Sequence, residues 1–224
     1  RNTAMGWRAL KALNFNGNGY NAAFGFSAGE VISTGIQNTI IGSLAGDALT
    51  EGSFNVAIGF EALGAEDTGN RSTAVGYGAL SLQNYSGDAF NTACGMWAGK
   101  VVSTGINNTF LGYQAGVAVT TGINNTFVGA NAGLSNEGGG NNIAIGKNAD
   151  FGGASFSNAI AIGTGLTQNL GTNTTEIGTT STTKAIVHGL VKPTNVTNAN
   201  VAVALPNNIY VFSDADGATV TLPD

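Results

Sequence analysis

The chain has 224 residues, of which 42% are hydrophobic, only 9% are charged and 35 are glycine, with a formal net charge of −5. The apolar content exceeds what a low-complexity disordered segment carries. The acidic balance, with a pI near 4.7, excludes the basic footprint of a nucleic-acid binder and a polybasic membrane anchor.

From the first residues onward, glycines recur at nearly constant spacing: Gly6, Gly25, Gly42, Gly59, Gly76, Gly95, Gly112, Gly129, Gly146, Gly163 and Gly178. The intervals are 19, 17, 17, 17, 19, 17, 17, 17, 17 and 15 residues. A fixed period of this size marks a stack of repeated rungs. Positions are counted below from this glycine. Position −1 is apolar in every repeat, from Met5 and Phe24 to Ile162 and Ile177. Position −3 is mostly β-branched, as in Thr39, Val56, Thr73, Thr109 and Ile143. These two columns share one strand face, because successive strand residues point to opposite sides. The column between them alternates small and large, from Ala23 and Ile40 to Phe110 and Phe127.

Position −4 is Asn from Asn2 to Asn142, with Ser72 the single substitute. Stacked amides predict a hydrogen-bonded ladder. Position +3 is Ala from Ala9 to Ala149, which predicts close approach of another backbone. Ten residues after the first glycine comes a second, as at Gly35, Gly52, Gly69, Gly105, Gly122 and Gly139, often after Thr. That is turn chemistry. Between the two glycines lies a short apolar stretch, such as Val31-Ile32, Ala48-Leu49 or Val101-Val102. Each rung is therefore expected to run strand, bend, second short strand, turn. The two 19-residue rungs bulge around Asn16-Gly17-Asn18-Gly19 and Asn84-Tyr85-Ser86-Gly87.

Two apolar clusters and an Ala column look insufficient for one chain to enclose a dry interior. The expectation is a parallel homotrimer, with each chain supplying a wall and the Ala column lying where chains meet. At about 4.7–4.9 Å per rung, ten intervals predict a rod of about 50 Å. The predicted fold is all-β, a parallel β-roll or β-solenoid with rungs of about 17 residues over 1–178. A neck follows over 179–193, and a small β-domain begins over 194–224. In that last stretch Val201, Val203 and Leu205, then Ile209 and Val211, alternate around turns. The chain opens on a repeat without an initiating Met and stops in mid-pattern. It reads as a piece of a longer polypeptide whose β-domain continues.

The unit Asn-Thr-Ala-Val-Gly-x-x-Ala, seen in NTFLGYQAG (Asn108 to Gly116), NTFVGANAG (Asn125 to Gly133) and NNIAIGKNA (Asn141 to Ala149), resembles the head repeats of trimeric autotransporter adhesins. That resemblance covers roughly Asn2 to Gly178 and implies a left-handed parallel β-roll trimer. The longer rung with its TGxNNT turn is more similar to repeats of bacteriophage tail-fibre proteins, and EIGTTSTTKAIVHGLV (Glu176 to Val191) resembles their neck. It implies a non-enzymatic segment of a virion tail fibre that supports host attachment. The implied partners are two further copies of the chain, other virion tail proteins and a host surface glycan or protein. Nucleic acid and membrane insertion are not expected. A bacterial surface adhesin head is the alternative, and a monomeric ligand- or ice-binding solenoid the second.

The residues that carry chemistry elsewhere read blandly here. His188 is the sole histidine and reads as packing or an axial polar layer; Cys94 is the sole cysteine and falls in the apolar column, as a small buried hydrophobe. Asp214-x-Asp216-Gly217 lacks the remaining ligands of a calcium loop and reads as a turn. The carboxylates Asp47, Glu51, Glu61, Glu66, Asp67 and Asp88 recur in no register, so no glycosidase pair is argued. Trp7, Phe26, Phe60, Tyr77 and Tyr113 follow the bend glycine, and Trp97 lies one further on. They are expected to fill the bend, although exposed they would form a stacking stripe for sugars. The sequons at Asn70, Asn84, Asn107, Asn124, Asn173 and Asn195 fall out of repeat composition. No catalytic residue, metal ligand or cofactor is assigned.

Overall fold

In the computed structural model, residues 1–14, 18–166 and 171–178 are described. The neck, the C-terminal β-domain, His188, Asp214, Asp216 and Asn195 lie outside them. The described residues are all-β. Eleven three-residue strands stack in sequence order: β1 (Thr3–Met5), β2 (Ala22–Phe24), β3 (Thr39–Ile41), β4 (Val56–Ile58), β5 (Thr73–Val75), β6 (Thr92–Cys94), β7 (Thr109–Leu111), β8 (Thr126–Val128), β9 (Ile143–Ile145), β10 (Ile160–Ile162) and β11 (Thr175–Ile177). All pair in parallel, each aligned residue for residue with the next, as in Ala57↔Ala74 and Phe110↔Phe127. The chain is a β-solenoid of about ten turns with rungs of about 17 residues; rung n carries strand βn.

Two constraints set this register. Each bend glycine has a positive φ, and Gly59, at +130°, lies so close to the next rung that a Cβ would stand 2.5 Å from the carbonyl oxygen of Gly76. The other constraint is the Asn column, which is buried from Asn21 to Asn142. Each amide oxygen accepts the backbone N–H at the same position one rung on, as Asn108 Oδ1 does from Asn125 N at 2.9 Å. From Asn21 to Asn125 each amide nitrogen donates across the interior to the second glycine of its own rung, as Asn108 Nδ2 does to Gly122 O at 2.8 Å, and Asn142 donates to Phe156 O. The ladder is thus amide-to-backbone rather than the expected amide-to-amide stack, except between Asn38 and Asn21.

The expected second strand is absent. Residues at +2 and +4 take left-handed φ, for example Leu44 at 57° and Leu63 at 56°, and a chain alternating into that region turns rather than extends. Turns therefore carry the second apolar stretch, yet Ile32, Leu49, Val102 and Val119 are still buried by it.

One chain closes its own core, contrary to the expectation from counting apolar clusters. The Ala column at +3 is buried inside each turn of the solenoid rather than between chains. It faces the middle strand column, where the rings of Phe110 and Phe127 lie 5.7 Å apart and tilted by 43°. Small residues suffice because the solenoid is narrow. Where Phe110 and Phe127 fill it, Gly116 and Gly133 leave the room. In the two rungs where position +7 is Glu66 or Gln83, position +4 is Leu63 or Leu80.

Asn108→Ala leaves the Gly122 carbonyl and the Asn125 amide bare inside the core, at about 1–3 kcal/mol each. The expected loss of unfolding free energy is about 3 kcal/mol, read from urea titration by circular dichroism. Gly59→Ala adds backbone strain and a clash, with an expected loss of at least about 2 kcal/mol.

Candidate functional site

The outer strand face is the most distinctive surface of the solenoid. The middle residue of β2 through β10 is buried, whereas its two neighbours are half-buried or exposed. The Thr column at −3 and the apolar column at −1 therefore point outward, although sharing a face with the apolar column predicts that the Thr column turns inward. Met5, Ile41, Leu111, Ile145 and Ile177 stand exposed in one file. Cys94 belongs to this file and is exposed, not a buried hydrophobe. Alternation determined that one face is buried. The Asn column, which must reach the far corner of its rung, determines which.

The face extends one position further at each side. Position +1 carries the aromatic residues, and they are exposed rather than filling the bend: Trp7 61%, Phe26 50%, Phe60 37%, Tyr77 47% and Tyr113 42%. They stack along the rod, Trp7 on Phe26 at 4.9 Å and Phe60 on Tyr77 at 5.3 Å. Trp97, half-buried, sits edge-on to Tyr77 at 6.1 Å. Position −5 forms the opposite edge. In rungs 7 to 11 it is Asn, and Asn124, Asn141, Asn158 and Asn173 bond amide to amide as an outer ladder. Three of the sequons are members of this column. In rungs 4 to 6 it is Phe54, Arg71 and Phe90, with the guanidinium 5.2 Å and 5.7 Å from the two ring centroids. Asp88 pairs with Arg71 at 3.1 Å.

The carboxylates divide by environment. Asp47 and Glu61 line a groove of about 320 Å3 with Leu44, Gly64, Ala65, Ser81, Leu82 and Lys100. Burial, then the charges of Glu61 and Glu30, hold the Asp47 carboxyl above its ordinary value. Among the described residues, no group of three His, Cys, Asp or Glu side chains is placed to hold a metal ion. Glu51 is exposed, and Asp67 accepts from the Thr50 hydroxyl.

Glu66 is fully buried, which the sequence did not foretell. Its carboxylate accepts from Gly69 N and Gln83 Nε2, both at 2.8 Å. Gln83 also donates to Ser72 Oγ and accepts from Asn91 Nδ2, both at 2.8 Å. Ser72 is too short to cross the interior as Asn does, and Gln83 bridges that gap in the ladder. The available signal was the coincidence of Ser72, the one departure in the Asn column, with the start of a 19-residue rung.

Comparison of the chain with protein-family models, with curated proteins and with solved structures finds no match. Its class rests on the geometry: a parallel β-solenoid that fills its own core and presents an outer strand face of apolar and Thr columns.

Burial holds the Glu66 carboxyl above its ordinary value of 4.5. The folded chain then binds this proton more tightly than the unfolded chain, so its stabilising contribution is complete below 4.5 and is lost as pH rises through the raised value. Urea midpoints between pH 4 and 8 are expected to fall on this account, in addition to a smaller fall of the same sign from Asp47. Glu66→Gln removes the Glu66 share of that slope, whereas Asp47→Asn leaves it.

Proposed function

We propose that this solenoid is a structural segment of a trimeric fibre, of the kind found in phage tail fibres and similar virion appendages, and that it serves host attachment without catalysis. The observation that carries this reading is the outer strand face. Eleven rungs at about 4.8 Å and four outward positions per rung give a face of about 50 by 20 Å, or about 1,000 Å2. That exceeds the ~800 Å2 each partner contributes to a standard interface. A second copy has the same rung period, so it matches this face along its whole length. The trimer no longer completes the core of each chain; it covers a face that each finished solenoid leaves bare. The resemblance to adhesin heads and tail-fibre repeats supports the count of three.

The mechanism is mechanical. Each rung is hydrogen-bonded to the next, so the segment is stiff along its axis, and association of three solenoids removes their apolar faces from water. Host contact falls to the outer turns or to other parts of the fibre. The bacterial adhesin head shares this architecture and differs in the cell surface that carries it.

A second reading has its own observation. Thr39, Thr73, Thr92, Thr109 and Thr126 stand in an outward rank at strand spacing, as an ice-binding or other ligand-binding solenoid requires. Its neighbouring file is Ile, Val and Leu, which favours a protein partner.

Light scattering is expected to give three times the 22.4 kDa of one chain. Val75→Lys together with Leu111→Lys places unpaired charges in the interface and is expected to raise the dissociation constant at least about 100-fold, leaving folded monomers. A wild-type monomer that shows thermal hysteresis would select the second reading instead.

A further inference from the structure

The two edges of the outer face vary together, rung by rung. Where position −5 is aromatic or Arg, position +1 is large and apolar or aromatic: Tyr20 with Phe26, Phe54 with Phe60, Arg71 with Tyr77, Phe90 with Met96. Rung 3 interrupts this run and is polar at both edges, Gln37 with Ser43. From rung 8 onward both edges are small or polar: Asn124 with Ala130, Asn141 with Lys147, Asn158 with Thr164. Only rung 7 is mixed, Asn107 with Tyr113.

Direct contact within the chain does not account for this match. The edges are six residues apart, about 20 Å along extended backbone. The ring contacts at each edge run along the rod, Phe60 to Tyr77 and Phe54 to Arg71, not across the face.

The −5 edge also carries strain. Every residue there from Tyr20 to Asn173 has left-handed φ; Phe54 stands at 63° and Phe90 at 51°. Asn adopts this conformation readily, and the lower rungs use it; bulky aromatic residues adopt it at a cost. Tyr20, Phe54 and Phe90 are nevertheless about half exposed, at 48%, 46% and 50%. Strained, exposed rings are a poor choice for a surface that touches only water.

We propose that the −5 edge of one copy packs on the +1 edge of the next copy at the same rung, with rungs 1 to 6 forming an aromatic latch and rungs 7 to 11 a weaker polar seam. Rung-matched edges require parallel copies in register around an axis along the rod. An antiparallel pair would set Phe54 against the polar edge of rung 8. A slip of one rung would set Gln37 against Phe60 and Tyr20 against Ser43 in one direction, or Gln37 against Phe26 and Phe54 against Ser43 in the other, so rung 3 acts as a register key. This inference rests on the trimer reading for the number of copies, and on the edges alone for direction and register.

The test uses the full chain with Cys94→Ala, adding Gln37→Cys and Ser43→Cys in the polar rung. A short bis-maleimide is expected to convert the assembled protein into covalent trimers on a denaturing gel, while either single variant stays monomeric. Covalent dimers from Gln37→Cys or from Ser43→Cys alone would overturn the pairing of unlike edges. Cross-linking of Gln37→Cys with Lys147→Cys would overturn the parallel direction. An assembled mass of three chains without any cross-link would overturn the edge contact and leave the trimer standing; a monomeric mass would end both. Covalent dimers at an assembled mass of two chains would keep the edges and overturn the count. As a second variant, Tyr20→Asn with Phe54→Asn and Phe90→Asn installs the residue that other rungs use at this φ. It is expected to fold with undiminished monomer stability and to raise the dissociation constant at least about tenfold. Unchanged association would overturn the latch.

Discussion

The inward asparagine at the head of eight of the eleven strands is the interaction on which the rest depends. Its oxygen ties one rung to the next and its nitrogen ties the strand to the far corner of its own rung. Both bonds lie in a dry interior, where an unmade hydrogen bond costs more than a made one contributes. The ladder therefore fixes register more strongly than it adds stability. A slip by one residue would turn Asn outward and the Thr and Ile columns inward, and would leave a file of second-glycine carbonyls bare. The bend glycines act with it, because only a residue without Cβ lets consecutive rungs approach to strand distance at that corner.

Given that constraint, the core follows by volume. The turns leave room for one side chain from the strand, one Ala and one apolar residue from the second stretch. The sequence exchanges bulk among these positions, with glycine opposite Phe110 and Phe127 and leucine beside the polar pair Glu66 and Gln83. The buried polar patch shows how far the ladder can be altered: Ser72 drops one rail, and a glutamine from the same longer rung carries it instead. A carboxyl is drawn into the core along with it.

A solenoid filled in this way leaves its strand face over. The outward −1 column is apolar in every rung, beside a −3 column that is mostly Thr. The filled core of the single chain and its exposed strand face are separate features of this chain. In the proposed trimer, their separation moves the reason for assembly from the core to the outer face and its edges.

The sequence by itself determined the period, the eleven strands, the parallel stacking and the two glycine corners, because each is a local requirement repeated at a fixed interval. Asn108 was legible as a ladder member. The facing of the strands was not legible. Both strand sides carry apolar residues, and period-two alternation separates Thr109 and Leu111 from Phe110 without saying which side is inside. Only the closed turn decides this, through the reach of Asn108 to Gly122 across the interior. The same closure decided that the Ala column needs no neighbouring chain, that the aromatic residues after the glycine stand in water, and that Glu66 does not. Each of these depends on the path of the turn between the glycines, where left-handed residues such as Leu44 and Leu63 replace the strand that apolar pattern alone predicted.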